Sequence, residues 1–117
     1  SPVVGAWDRT RLEQVVTNLL SNAARYAPSA KVRVSATIAG SDAILNVSDD
    51  GPGIAPENQV HIFDRFVQAS PRAQAGGFGL GLWIVREIAE AHGGSVSVAS
   101  KPGLGASFEV RLPRGAI

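Results

Sequence analysis

Residues 31–38, KVRVSATI, alternate without a slip. Val32, Val34, Ala36 and Ile38 fall on one side, and Lys31, Arg33, Ser35 and Thr37 on the other. Period-two alternation marks a strand with one buried face, and that face needs an apolar layer against it. The chain supplies one. Leu12, Val15, Val16, Leu19, Leu20 and Ala23 recur at helical spacing, with Ala24 alongside. This helix starts near Asp8, capped by Asp8 itself or by a Thr10–Glu13 capping box, and ends ahead of Pro28. A second helix, about 80–92, repeats Leu80, Ile84, Val85, Ile88, Ala89 and His92 on one side and stops at Gly93. AILNVSD (43–49) reads as a strand antiparallel to the first across the AGSD turn. SVSVAS (95–100) and SFEVRLP (107–113) add two more around a KPGLG turn, and PVV near the start reads as a small edge strand. Pro56 opens a short helix over roughly 56–62. Residues 67–79 have no period and are rich in Ala, Gly and Ser, the character of a functional lid or of a disordered segment. The expectation is an α/β fold in one domain over residues 1–117. It is a two-layer sandwich, with a mixed, mostly antiparallel sheet and about three helices on one face.

Composition narrows the function. At 117 residues the chain is expected to hide about 60–70% of its unfolded surface, enough for one core. Lys plus Arg is 11 against 10 for Asp plus Glu, which predicts neither a nucleic-acid footprint nor a polybasic anchor. The absence of cysteine excludes disulfides and thiolate metal sites, and His61 and His92 alone make a poor zinc site. No apolar run is long enough to span a bilayer, and no signal peptide is visible. With no methionine and Ser1 first, the chain reads as an excised domain.

Three groups of residues carry the chemistry. Asn18 and Asn22 lie one turn apart on the first helix, Arg25 falls on the same stripe, and Tyr26 lies between that stripe and the apolar face. Asparagine is a mediocre helix former, so two of them in a helix interior need a cause. A neutral amide oxygen suits Mg²⁺, which prefers oxygen ligands and keeps several waters; a tolerated polar flank is the competing reading. In DDGPGI (49–54), Asp49 shares the strand face of Leu45 and Val47 and so points inward, while Asp50 points away. An inward carboxylate needs a donor. A backbone amide of the turn is one candidate and a ligand's amino group the other. Gly51 and Gly53 would let backbone approach a flat ring closely. Finally, GGFGLGL (76–82) sets Gly77, Gly79 and Gly81 just before a helix, an arrangement suited to phosphate although equally to a mobile loop. No strand precedes it and no Lys-Ser/Thr follows, so the dinucleotide and Walker motifs do not apply.

NLLSNAARY, DDGPGI, IFDRF and GGFGLGLWIV occur in that order, and with them nearly the whole chain resembles the catalytic ATP-binding domain of a bacterial sensor histidine kinase. The resemblance implies the Bergerat α/β sandwich, with ATP between the helix layer and a flexible lid and magnesium bridging the phosphates. It implies Asn22 as magnesium ligand and Asn18 as its partner, ordering waters or a phosphate. Arg25 meets phosphate and Tyr26 packs on adenine. Asp49 accepts from the adenine amino group, Gly51 and Gly53 make room for the ring, and Ile54 walls the pocket. Phe63 and Phe66 pin the lid, Arg65 reaches the γ-phosphate, Gly77, Gly79 and Gly81 lie under the phosphates, and Leu80 and Leu82 begin the next helix. Phe78 departs from the small Ser or Thr of many relatives.

Gyrase-type and chaperone ATPases of the same fold carry a glutamate where this chain has Asn18, and a neutral amide is no general base. The resemblance therefore implies phosphoryl transfer to a histidine on a separate dimerisation domain, with a response regulator downstream. An anti-sigma-factor-type serine kinase is the second enzyme reading, and a nucleotide-binding module the non-enzyme one. Neither His61 nor His92 has the acidic neighbour and downstream proline of a phosphoacceptor. His61 reads as exposed or near the lid hinge, and His92 as a helix-end residue facing the core edge or favourable to the helix dipole. The isolated domain is expected to be monomeric and cytoplasmic, part of a membrane-anchored sensor.

Overall fold

A computed structural model describes residues 5–26, 30–64, 81–101 and 103–115. The elements in order are α1 (Arg9–Tyr26), β1 (Val32–Ala39), β2 (Asp42–Asp49), the single turn α2 (Pro56–Gln59), α3 (Gly81–Ala91), β3 (Ser95–Ser100) and β4 (Ala106–Pro113). The PVV strand expected near the start lies outside the described residues.

The strands form one sheet in the order β1-β2-β4-β3, and each neighbouring pair is antiparallel. A mixed sheet would need a parallel pair, and the described strands contain none. Short turns make β1–β2 and β3–β4 hairpins, which forces antiparallel pairing within each. The register aligns side chains in rows across the inner face. One row is Val34, Val47, Phe108, Val98; the row at the sheet's end is Val32, Asp49, Ala106, Ser100. Helices α1 and α3 pack together over β2, β4 and β3. Between the layers lie Val15, Leu19, Val47, Ile62, Leu82, Val85, Phe108 and Val110, all buried. Each fully buried Val or Leu contributes about 1.5–3 kcal/mol of transfer free energy. The opposite face of the sheet is polar, with Asn46 bonded to Ser107 and Arg111 to Asp42.

The helix ends settle two open points. The N–H of Arg11 donates to Asp8 Oδ1 at 3.1 Å, so Asp8 caps α1 and Thr10 does not. Helix α3 closes with Gly94 N–H on the Ala89 carbonyl (2.8 Å) and Gly93 N–H on that of Glu90 (3.0 Å), the Schellman pattern. His92 finishes this end. Its Nδ1 donates to the Ile88 carbonyl at 2.8 Å, while Nε2 accepts the Asp8 N–H at 3.2 Å. A carbonyl only accepts, so the proton sits on Nδ1, and the ring clasps the end of α3 to the start of α1.

Three expectations change. The inner face of β1 is not half-buried: Val32, Val34 and Ile38 are 38%, 50% and 47% exposed. None of the three described helices packs appreciably on this outermost strand. Leu20 and Ala24 on α1, expected on the apolar side, are exposed as well. The helix begun by Pro56 ends at Gln59, and turns carry the chain to a fully buried Ile62.

Candidate functional site

Asp49 ends β2 on the inner face, as its parity with Val47 requires. Its row neighbours are Val32 and Ala106, neither of which has a side-chain donor. Oδ1 accepts the N–H of Gly51 at 2.9 Å. The turn reading of Asp49 is thus met by one carboxylate oxygen. Among the described residues no donor reaches Oδ2. Asp50 is exposed and ties the start of β1 instead, accepting the Lys31 N–H at 2.8 Å. An open hollow of about 520 Å³ borders Asp49, Gln59, Ser100, Gly105 and Ala106. It also takes in Ser48 and Ser107 from the polar face, so it wraps round the end of the sheet.

The amide row is carried by α1. Asn22 is 7% exposed, and among the described residues it is the one buried polar side chain. No described group hydrogen-bonds its amide. A buried amide left unpaired costs about 1–3 kcal/mol. Asn18 is half-buried, and its Nδ2 approaches the Gly81 carbonyl at 3.4 Å, bringing the row to the first residue of α3. Among the described residues, a methyl group added at Gly81 would meet nothing within 4 Å. Arg25 is half-buried in the last turn of α1. The described residues hold no cluster of three histidine or carboxylate side chains. A neutral amide oxygen, as at this row, is a donor of the kind magnesium accepts.

The loop leaving Asp49 is bound tightly to the β3–β4 turn. Gly53 has φ +78°, and a Cβ there would strike the Lys101 carbonyl; Gly105, at φ +82°, would strike that of Asp49. The N–H of Gly103 donates to the Pro52 carbonyl at 2.6 Å. Ile54 is buried, with its N–H on Ser100 Oγ and its carbonyl held by Gln59. Ser100 and Gln59 were not among the residues singled out from the sequence, because their partners lie 46 and five residues from them with no local period linking them.

The remaining expected residues divide. Phe63 is half-buried, edge-on to Phe108 with centroids 6.1 Å apart, so it belongs to the core margin. Leu82 is buried in the core beside Ile54 in the same cluster. His61 is exposed and pairs with Asp64 at 3.1 Å, and Asp64 also faces Arg86 of α3 at 3.7 Å. Arg65, Phe66, Gly77, Phe78, Gly79, Leu80 and the side chain of Tyr26 lie outside the described residues.

Residues 7–116 match the family model described as histidine kinase-, DNA gyrase B-, and HSP90-like ATPase. The chain is 41% identical to the sensor protein SrrB of Staphylococcus aureus over 95% of its own length. It spans about a fifth (20%) of that relative. Among solved structures, full-length ShkA in complex with AMPPNP aligns with a TM-score of 0.83 at 36% identity, covering 97% of this chain and 24% of that one. The mycobacterial sensor histidine kinase MprB aligns at 0.78 with 34% identity, over 95% of this chain and 80% of that one. No described helix is long and apolar enough to cross a membrane.

Proposed function

The chain belongs to the histidine kinase-, DNA gyrase B- and HSP90-like ATPase family, and from that premise we propose that residues 1–117 act as one Mg·ATP-binding unit of a two-component sensor kinase. The unit donates the γ-phosphoryl group to a histidine on a separate dimerisation domain, from which a response regulator is served. The observation that carries this reading is Asn22, a 7% exposed amide without a partner among the described residues. Such a group is retained against its cost when a ligand completes it.

Asn22 would hold a magnesium ion, which would supply neutralisation of phosphate charge. Asn18 orders the water or phosphate beside it, and Arg25 and Arg65 meet phosphate oxygens. Gly77, Gly79 and Gly81 let backbone amides at the start of α3 approach the phosphates. At the other end Asp49 offers Oδ2 to the exocyclic amino group of adenine, with Tyr26, Gly51, Ile54 and Leu80 beside the nucleotide; Gly53 instead seats the loop on the Lys101 carbonyl, and Leu82 lies in the core. In the transfer, the lone pair of the acceptor imidazole nitrogen forms the P–N bond. The bond from the γ-phosphorus to the bridging oxygen breaks, and ADP leaves with that electron pair. Asn18 cannot deprotonate water, which directs the phosphoryl group to a partner and not to hydrolysis. The natural setting is the cytoplasmic part of a membrane-anchored sensor.

Calorimetric titration with ATP, with and without Mg²⁺, is expected to show binding that strengthens with the metal. Adding the parent kinase's histidine-bearing domain and γ-labelled ATP is expected to give acid-labile label on that domain. Absence of metal-linked ATP binding, or label on serine, refutes the reading.

A further inference from the structure

We propose that Ser100 and Gln59 are positioning residues for base recognition, together setting loop 50–55 against Asp49; the inference rests on the nucleotide reading above. Ser100 stands in the same end row as Asp49, separated only by the small Ala106. Its hydroxyl uses both of its capacities. Oγ accepts the Ile54 N–H at 2.8 Å and donates to the Gly105 carbonyl at 2.6 Å. Gln59 Nε2 donates to the Ile54 carbonyl at 2.7 Å and to the Ser100 carbonyl at 3.0 Å. Both backbone groups of Ile54 are therefore held by two side chains, and those two residues are joined to each other.

The latch locks three pieces of backbone into one body. Loop 50–55 lies on turn 101–105 through the Gly103–Pro52 bond and the bare Cα of Gly53. The turn lies on the Asp49 carbonyl through the bare Cα of Gly105. A base between Asp49 and the Ile54 wall fits only while their separation is kept, and Ser100 and Gln59 keep it. The core below closes without them: Val47, Phe108 and Val110 are buried by α1 and α3, whereas Ser100 and Gln59 are half-buried at the rim of the hollow. Loss of the latch thus displaces the loop before it unfolds the chain.

The test is the ratio of dissociation constants for inosine triphosphate and ATP, measured with Mg²⁺. The two nucleotides differ at the purine 6-position, where Asp49 reads. Both report the same folded fraction, so the ratio does not respond to simple destabilisation. The wild type is expected to prefer ATP. Ser100→Ala is expected to lower the ratio about fivefold, the equivalent of one ordinary hydrogen bond of roughly 1 kcal/mol. Ser100→Thr keeps a hydroxyl and is expected to restore it. Gln59→Leu is expected to act as Ser100→Ala does, and decides the matter if that variant shows no cooperative melting. A wild-type ratio retained by Ser100→Ala or by a folded Gln59→Leu overturns the proposal, as does failure of threonine to rescue. A wild type that binds no ATP, or does not discriminate, instead overturns the nucleotide reading beneath it.

Discussion

Asp49→Asn separates recognition from stability. The substituted amide has the same shape as the carboxylate, and its oxygen still accepts the Gly51 N–H that Oδ1 holds at 2.9 Å. Keeping that bond turns the new NH₂ to the side where Oδ2 stood, toward a base amino group that also donates. What is lost is a hydrogen bond to a charged acceptor, worth about 1.5–3 kcal/mol, or roughly 10- to 150-fold in affinity. What is kept is the turn. The row neighbours Val32 and Ala106 supply no charge for Asp49 to answer. The melting temperature should therefore move by no more than about 4 °C, the effect of roughly 1 kcal/mol in a chain this size. Inosine triphosphate presents a carbonyl where ATP presents its amino group, and it should bind the variant as well as the wild type or better. The assay is paired calorimetry with both nucleotides in Mg²⁺, alongside thermal melts. Undiminished ATP affinity in a folded Asp49→Asn protein refutes the reasoning. So does an equal loss for both nucleotides, because the effect would then not concern the purine edge.

Asn22→Ala removes an amide without a described partner, so stability measured by urea titration should stay within about 1 kcal/mol of wild type or rise, while the Mg²⁺ dependence of ATP binding disappears. Gly105→Ala places a Cβ at φ +82° and into the Asp49 carbonyl; urea titration should show a loss of about 2 kcal/mol or more, with weakened ATP binding. Trp7→Phe gives up the indole N–H bond to the Pro113 carbonyl at 2.8 Å, which should lower stability in the same titration by about 1 kcal/mol and leave nucleotide affinity alone.

Parity and periodicity located much of the molecule in advance. The alternation from Ala43 to Val47 was enough to turn Asp49 inward, and the register bears this out. Of the expected stripe on α3, Val85, Ile88 and Ala89 are buried, Ile84 and His92 are half-buried, and Leu82 joins the buried side. Gly93 ends that helix as its place after the apolar stripe required. These are properties of a single element, carried by residues two to four positions apart, so a linear pattern contains them. The order of NLLSNAARY, DDGPGI and GGFGLGLWIV is likewise a linear pattern, and it marks the family.

What lies between elements had to come from the tertiary structure. The alternation in β1 is as clean as that in β4, yet Val34 is half exposed while Val110 is buried, because cover depends on the helix opposite and not on the strand. Asn18 and Asn22 look alike on a helical wheel. Packing of α1 on α3 and β2 buries Asn22 and leaves Asn18 at the margin, touching Gly81. Ser100 reads as one more polar residue of an edge strand until the fold brings Ile54 to its hydroxyl across 46 positions. The chain by itself determined which way each side chain faces; folding decided what it meets there, since burial and hydrogen bonding depend on partners the local pattern does not encode.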